Sequence, residues 1–240
     1  MSGIWAWLTD PANWSGEDGI PHRTLQHLVI SGEALLLAMI VALPAALVLG
    51  HFRRGGNVLI GVGNVGRAIP TYAAIVTFAL TDQIGVGSLA VVLGLAVFAL
   101  PPLLVNTYVA VTQVDKDAID AAKGMGMTGR QVLGKVEVPL AFPLIFAGIS
   151  ITTVQVVATA TFGALVGAGT LGLYITQGQS VQDYSEMYAG VILVAVLCVV
   201  LDRLLALVQR LIARRTGRPT VRNRRISAEE AATPIPVRVV

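Results

Sequence analysis

Residues 120–139 read DAAKGMGMTGRQVLGKVEVP, a polar, glycine-studded stretch set between long apolar runs. The rest of the chain is greasy: 55% of its 240 residues are hydrophobic, 13% are charged, and the mean hydropathy is +0.73. Soluble domains carry about 25% charged residues, so the polar side chains here are too few to cover a water-facing surface. Apolar runs of membrane-spanning length recur on both sides of the stretch. Lipid is therefore the expected solvent for most of the surface, and 120–139 the hydrophilic loop between two spans.

A span needs about 20 mainly apolar residues. Five stretches meet that need: 25–49, 58–80, 84–111, 138–166 and 187–212. The second is the least regular, with Gly61, Gly63, Asn64, Gly66, Arg67 and Pro70 inside it, so an interfacial elbow helix leading into a shorter span is one reading. The expected fold class is all-α, a polytopic membrane protein of about five transmembrane helices.

Basic residues alternate between loops. Arg53 and Arg54 follow the first span, Lys116, Lys123, Arg130 and Lys135 follow the third, and seven arginines from Arg210 to Arg225 close the fifth. The other connections carry Asp10, Glu17, Asp18, Asp82, Asp183 and Glu186, with Arg23 the one basic exception. Basic loops stay in the cytoplasm, which predicts an N-terminus outside and a C-terminus inside. The organisation expected is an extracytoplasmic or interfacial segment over 1–23, a membrane domain over 24–212 with a cytoplasmic loop at 115–137, and a basic cytoplasmic tail over 213–240. That tail, polar and proline-containing, is expected to be disordered and drawn to anionic headgroups.

Trp5, Trp7 and Trp14 suit an aromatic helix at the outer interface, as lipid anchors or as a contact surface. The first twenty residues are acidic and lack the basic and apolar regions of a cleavable signal. Cys198, the lone cysteine, reads as a small packing residue. Nothing resembles a basic, aromatic nucleic-acid face. His22, His27 and His51 have no metal-ligand spacing, which weighs against a membrane-embedded metalloenzyme.

Within the loop, Asp115, Asp117 and Asp120 favour a helix start. Gly124, Gly126 and Gly129 call for a tight turn, and Gln131 to Val136 for a second short helix that Pro139 redirects into the next span. The sequence then resembles a known family. Asp120, Ala121, Ala122, Gly126, Val136, Val138 and Pro139 match in register the EAA loop of ABC importer permeases, with Asp in place of the usual Glu and Val in place of Ile and Leu. TLQHLVISGEALLLAMIVALPAALVLGHFRRG, AIPTYAAIVTF, ALPPLLVNTYVAVTQVD and FGALVGAGTLGLYITQG look like the osmoprotectant branch, whose members import glycine betaine, choline, carnitine and proline betaine. The match covers about 24–212.

The resemblance implies a type I (MetI-like) importer: two permease subunits, alike or different, two cytoplasmic ATPases and an external solute-binding protein. No G-x-x-x-x-G-K-[ST] loop occurs here, so ATP and Mg²⁺ would belong to the ATPase, and this chain would hold no cofactor or metal. Asp120, Ala121, Ala122, Gly126, Val136 and Pro139 would form the coupling element on that ATPase. Lys123, Arg130 and Lys135 would pair with its acids or with lipid phosphates.

Thr152, Gln155 and Thr159 recur at three and four residues, on one helix face, and with Asn106 are candidates for the translocation path. Helix packing is the competing reading. Glu33 and Arg67 are ionisable at or near membrane depth and read either as functional or as structurally paired. Gly167, Gly169 and Gly172 punctuate a re-entrant or interfacial element expected to be the outer gate or a passive loop. A permease for methionine or another amino acid, and a structural or sensory membrane protein, are the alternatives.

Overall fold

A computed structural model describes residues 2–215, and these are helical throughout with short connections. The order is α1 (Ser2–Thr9), a 3₁₀ turn, α2 (Ile20–His51), α3 (Gly56–Ala68), α4 (Thr71–Ala79), α5 (Ser88–Thr112), α6 (Lys116–Gly124) and α7 (Gly129–Val132). A π-helical turn (Leu133–Glu137) leads into α8 (Val138–Thr159), and a 3₁₀ segment (Ala160–Val166), α9 (Gly172–Ser180) and α10 (Tyr184–Arg215) complete the chain.

Four runs are long and apolar enough to cross a membrane: Ile20–His51, Ser88–Thr112, Gly129–Val166 and Tyr184–Ile212. The fifth expected span is a bent pair, α3 and α4, which meet at 80°. Pro70 makes the break: it has no N–H and holds Ile69 in an extended conformation (φ −73°, ψ 119°). The elbow reading therefore describes this segment better than a straight rod. The fourth run also differs from a continuous α-helix, because residues 160–166 tighten into 3₁₀ geometry.

The packed centre is α5, with α2, α4 and α8 against it. Ile30, Ala34, Ala38, Ala42, Ala46 and Gly50 of α2 are all buried and fall at every fourth position. That spacing makes one ridge along the helix. Its small side chains bring the α5 backbone close, which matters in lipid, where van der Waals packing rather than water exclusion holds helices together. At Gly50 a Cβ would lie 2.9 Å from Cβ of Val111. By contrast, only 6% of the apolar window of α10 is buried, and Val191, Val196, Val199, Leu204 and Leu207 stand exposed along it. Such a surface suits lipid tails or a second apolar subunit.

The N-terminal tryptophans divide. Trp7 packs edge-on against Tyr174 at 5.2 Å, whereas Trp5 and Trp14 are exposed. α1 thus packs on α10, and its Trp7 ring reaches Tyr174 of α9. At the other terminus α10 runs three residues into the segment expected as a tail. Residues 216–240 of that segment lie outside the described residues, as does the side chain of Arg67.

Candidate coupling hairpin and translocation cavity

The loop between α5 and α8 folds as a hairpin whose local chemistry accounts for each bend. The Asp115 carboxylate caps α6 by accepting from the Asp117 N–H at 2.9 Å. Gly126 ends that helix in the left-handed region (φ 82°), where a side chain would be strained. The N–H groups of Gly126 and Met127 return to the carbonyls of Lys123 and Ala122, the paired bonds of a Schellman turn. Thr128 and Gln131 then form a capping box at the start of α7. Pro139 falls in the first turn of α8, directly after the π-helical turn, so its missing N–H coincides with the change of helical register there.

Burial splits the hairpin into two faces. Ile119 and Ala122 are buried in a cluster with Val111, Val114, Val132, Ala141 and Ile145, and Val136 packs partly buried against it. Asp120, Ala121, Lys123, Gly124 and Met125 are exposed. Of the residues expected to couple, then, Asp120, Ala121 and Gly126 are outward, Ala122 and Val136 inward, and Pro139 exposed at the root. Lys123, Arg130 and Lys135 are exposed.

Two further side chains tie the roots of the hairpin to the end of α2. His51 Nδ1 lies 2.5 Å from Oε2 of Glu137, whose side chain is 3% exposed. The Arg53 guanidinium donates to the carbonyls of Thr112 (3.2 Å) and Val114 (3.3 Å), where α5 ends. Sequence reasoning used Arg53 only for sidedness, weighed His51 only as a metal ligand and passed over Glu137. The only signal was an acid flanked by Val136 and Val138 at a span entry, and a histidine at a span exit.

Asn106 and Gln155 line one cavity of about 420 Å³, together with Gly66, Phe98, Pro102 and Ile151. Pro102 has no N–H to give the carbonyl of Phe98, its partner one helical turn earlier, so the wall carries backbone polarity as well as two amides. One aromatic ring, Phe98, belongs to this lining. Thr152 does not: it is fully buried and its hydroxyl donates to the Gly148 carbonyl at 2.9 Å. Thr159 is half-buried and donates to the carbonyl of Gln155 at 2.8 Å. The helix spacing brings the three side chains near one another, but the cavity takes only Gln155 of them. Glu33 lines a separate cavity of about 270 Å³ with Gln26, Ser88 and Gly169.

At the end opposite the hairpin, Gly167 adopts φ 77° and closes the 3₁₀ segment. A Cβ on Gly172 would sit 2.1 Å from the Thr161 carbonyl oxygen, and one on Gly169 would meet the side chains of Gln26 and Arg23. Arg23 in turn pairs with Asp18. Tyr174 donates its hydroxyl to the Asp18 carbonyl at 2.6 Å. Burial pushes that phenol up to about 12, so it remains a neutral donor through the physiological range.

The model of the family described as "Binding-protein-dependent transport system inner membrane component" matches residues 34–218. The chain belongs to that family. It is accordingly a multi-pass inner membrane transport component rather than an enzyme, of the kind that works with an ATPase and a substrate-binding protein. Among its relatives is the glycine betaine/carnitine/choline transport system permease protein OpuCB of Bacillus subtilis, 33% identical over 79% of this chain and 86% of that protein. The carnitine transport permease protein OpuCB of Listeria monocytogenes is 37% identical over 75% of this chain and 82% of that protein. The inward-facing methionine ABC transporter MetNI has the same fold: TM-score 0.70, 22% identity, covering 78% of this chain and 93% of that one.

Proposed function

We propose that this permease imports compatible solutes of the glycine betaine, choline and carnitine class by alternating access. The N-terminus lies outside, the C-terminus inside and the hairpin in the cytoplasm. One observation carries the reading: a hairpin with an exposed polar and small-residue face (Asp120, Ala121, the Gly126 turn) is rooted between α5 and α8. Those same two helices supply Asn106 and Gln155 to the 420 Å³ cavity. A rigid-body shift of the hairpin, driven by an ATPase dimer seated on that face, would tilt both cavity-lining helices and change which side the cavity faces.

The two amides and the backbone polarity suit a small, hydrogen-bonding, weakly held solute. A lone aromatic ring makes no cage for a quaternary ammonium group, so selectivity rests with an external binding protein. A second permease subunit, a copy or a related chain, completes the enclosure that about five spans do not make alone. Gly167, Gly169 and Gly172 would form the outer gate. ATP and Mg²⁺ act on the ATPase. The cargo class is supported by relatives at 33% and 37% identity, whereas likeness to the methionine transporter speaks for the fold alone.

The test is uptake by the reconstituted complex, with glycine betaine, choline, carnitine and methionine competing. Competition by the first three and none by methionine is the expected result, and the reverse order would overturn the cargo. Gly126→Asp, with normal membrane expression, is expected to abolish uptake and solute-stimulated ATP hydrolysis. Retention of both would overturn the coupling role.

A further inference from the structure

The hairpin is joined to its own helices, α5 and α8, by the chain itself. Its attachment to α2 is of another kind. Two residues at the end of α2 reach both roots at once. His51, in the last turn, meets Glu137 at the entry to α8. Arg53, two residues on, holds the Thr112 and Val114 carbonyls at the exit of α5. The Thr112 carbonyl closes α5, where backbone acceptors lack intrahelical donors and carry partial negative charge, and the Val114 carbonyl lies just beyond it, so a guanidinium is well placed there. Arg53 itself stands in the left-handed region (φ 51°), an uncommon conformation for a residue with a side chain. One residue before His51, Gly50 lets α2 touch α5 at Val111.

Glu137 is the more telling partner. A carboxylate 3% exposed, at the edge of a membrane, is costly unless a donor meets it. The acid sits in the π-turn between α7 and α8, where the ladder of helical bonds changes register. The ring that meets it also faces the hairpin on its other edge: a Cβ on Gly129 would lie 3.3 Å from His51 Nε2. A cavity of about 690 Å³, lined by Val48, His51, Phe52, Thr128 and Arg130 among others, opens beside His51 between the end of α2 and the hairpin.

We infer that His51 and Arg53 are positioning residues that clamp both roots of the coupling hairpin to α2, making α2 a third helix driven by the hairpin. The inference rests on the coupling reading proposed above. Movement of the hairpin then carries α2 with α5 and α8, and the small-residue ridge from Ile30 to Gly50 transmits the tilt along its length. The far end of α2 holds Gln26 and Arg23 against Gly169, and Glu33 lines a cavity with that glycine, so the same helix touches the opposite side of the membrane domain.

The test uses the intact complex of permease, ATPase and binding protein in proteoliposomes, with radiolabelled glycine betaine or choline, whichever the wild type takes up. His51→Phe with Glu137→Leu removes the pair while leaving no buried charge, and Arg53→Met removes the second brace at an exposed site. Both are expected to assemble with the ATPase, to lose solute stimulation of ATP hydrolysis over basal, and to lower uptake by about tenfold. His51→Asn, which keeps a donor near the place of Nδ1, is expected to stay within about twofold of the wild type. Stimulated hydrolysis and uptake at wild-type levels in Arg53→Met, or in the doubly apolar variant, would overturn the inference. Should the doubly apolar variant not assemble, Arg53→Met and His51→Asn decide. Gly126→Asp runs in parallel: if it too stays coupled, the coupling reading itself fails, and if it alone uncouples, only the clamp fails.

Discussion

His27 donates from Nε2 to the carbonyl of Val157 at 2.8 Å, joining α2 to the last turn of α8 in the buried centre. Its Nδ1 accepts from the N–H of Leu171 at 3.3 Å, just before α9. Both ring nitrogens are thus used, one as donor and one as acceptor, and the ring is neutral. The Val157 carbonyl is one of the four that a helix end leaves without a partner, so the side chain completes α8 from outside. His27→Ala should destabilise the protein by about 1–3 kcal/mol for each group left unpaired. Thermal unfolding of the detergent-purified complex would show this as a lowered midpoint, and an unchanged midpoint would refute the bridging role.

A second prediction concerns Gly172. Its Cβ position is occupied by backbone, the Thr161 carbonyl, so nothing flexible can move aside. Gly172→Ala must push the 3₁₀ segment away from α9, at a cost of about 1–3 kcal/mol. Uptake and thermal midpoint should fall together. Gly61→Ala, where a Cβ meets nothing within 4 Å, is the control and should leave both unchanged.

Much of this was legible in the sequence. Span number follows from hydropathy because only helices satisfy their own backbone in lipid, and the hairpin from its glycines and caps, which act within a few residues. What escaped is non-local or fine-grained. His51 and Glu137 are 86 residues apart, and no rule of spacing pairs them. The 3₁₀ segment at 160–166 has the same apolar composition as the helix before it, so hydropathy cannot mark the change. The face shared by Thr152, Gln155 and Thr159 is readable, but which of its side chains meets a cavity depends on where α5 crosses.

Tyr174 gives a prediction with a sign. Its folded-state pKa is raised to about 12 from the ordinary 10, chiefly by burial, with Asp18 and Glu186 adding and Arg23 opposing. The contribution is fully present below pH 10 and is lost as pH rises through the folded value, because the unfolded chain sheds the proton first. The stability of the wild type should therefore decline between pH 10 and 12 more steeply than that of Tyr174→Phe. Parallel declines would mean that the phenol does not control this range. At neutral pH the same variant loses the bond to the Asp18 carbonyl and should cost about 1 kcal/mol.

The last prediction separates path from packing among the polar residues of the membrane domain. Asn106 and Gln155 line the cavity, whereas the hydroxyl of Thr152 is spent on its own helix at Gly148 and is fully buried. Asn106 is itself pressed against α8, since a Cβ on Gly148 would lie 2.6 Å from its Cβ. Truncation there would loosen two helices as well as remove an amide, so Gln155 is the cleaner probe. Gln155→Leu, similar in volume, should lower uptake by about tenfold, with ATPase assembly and thermal midpoint close to wild type. Thr152→Val should leave uptake near wild type and act, if at all, on the midpoint. The opposite pattern, with Thr152 controlling uptake and Gln155 silent, would move the path off this cavity.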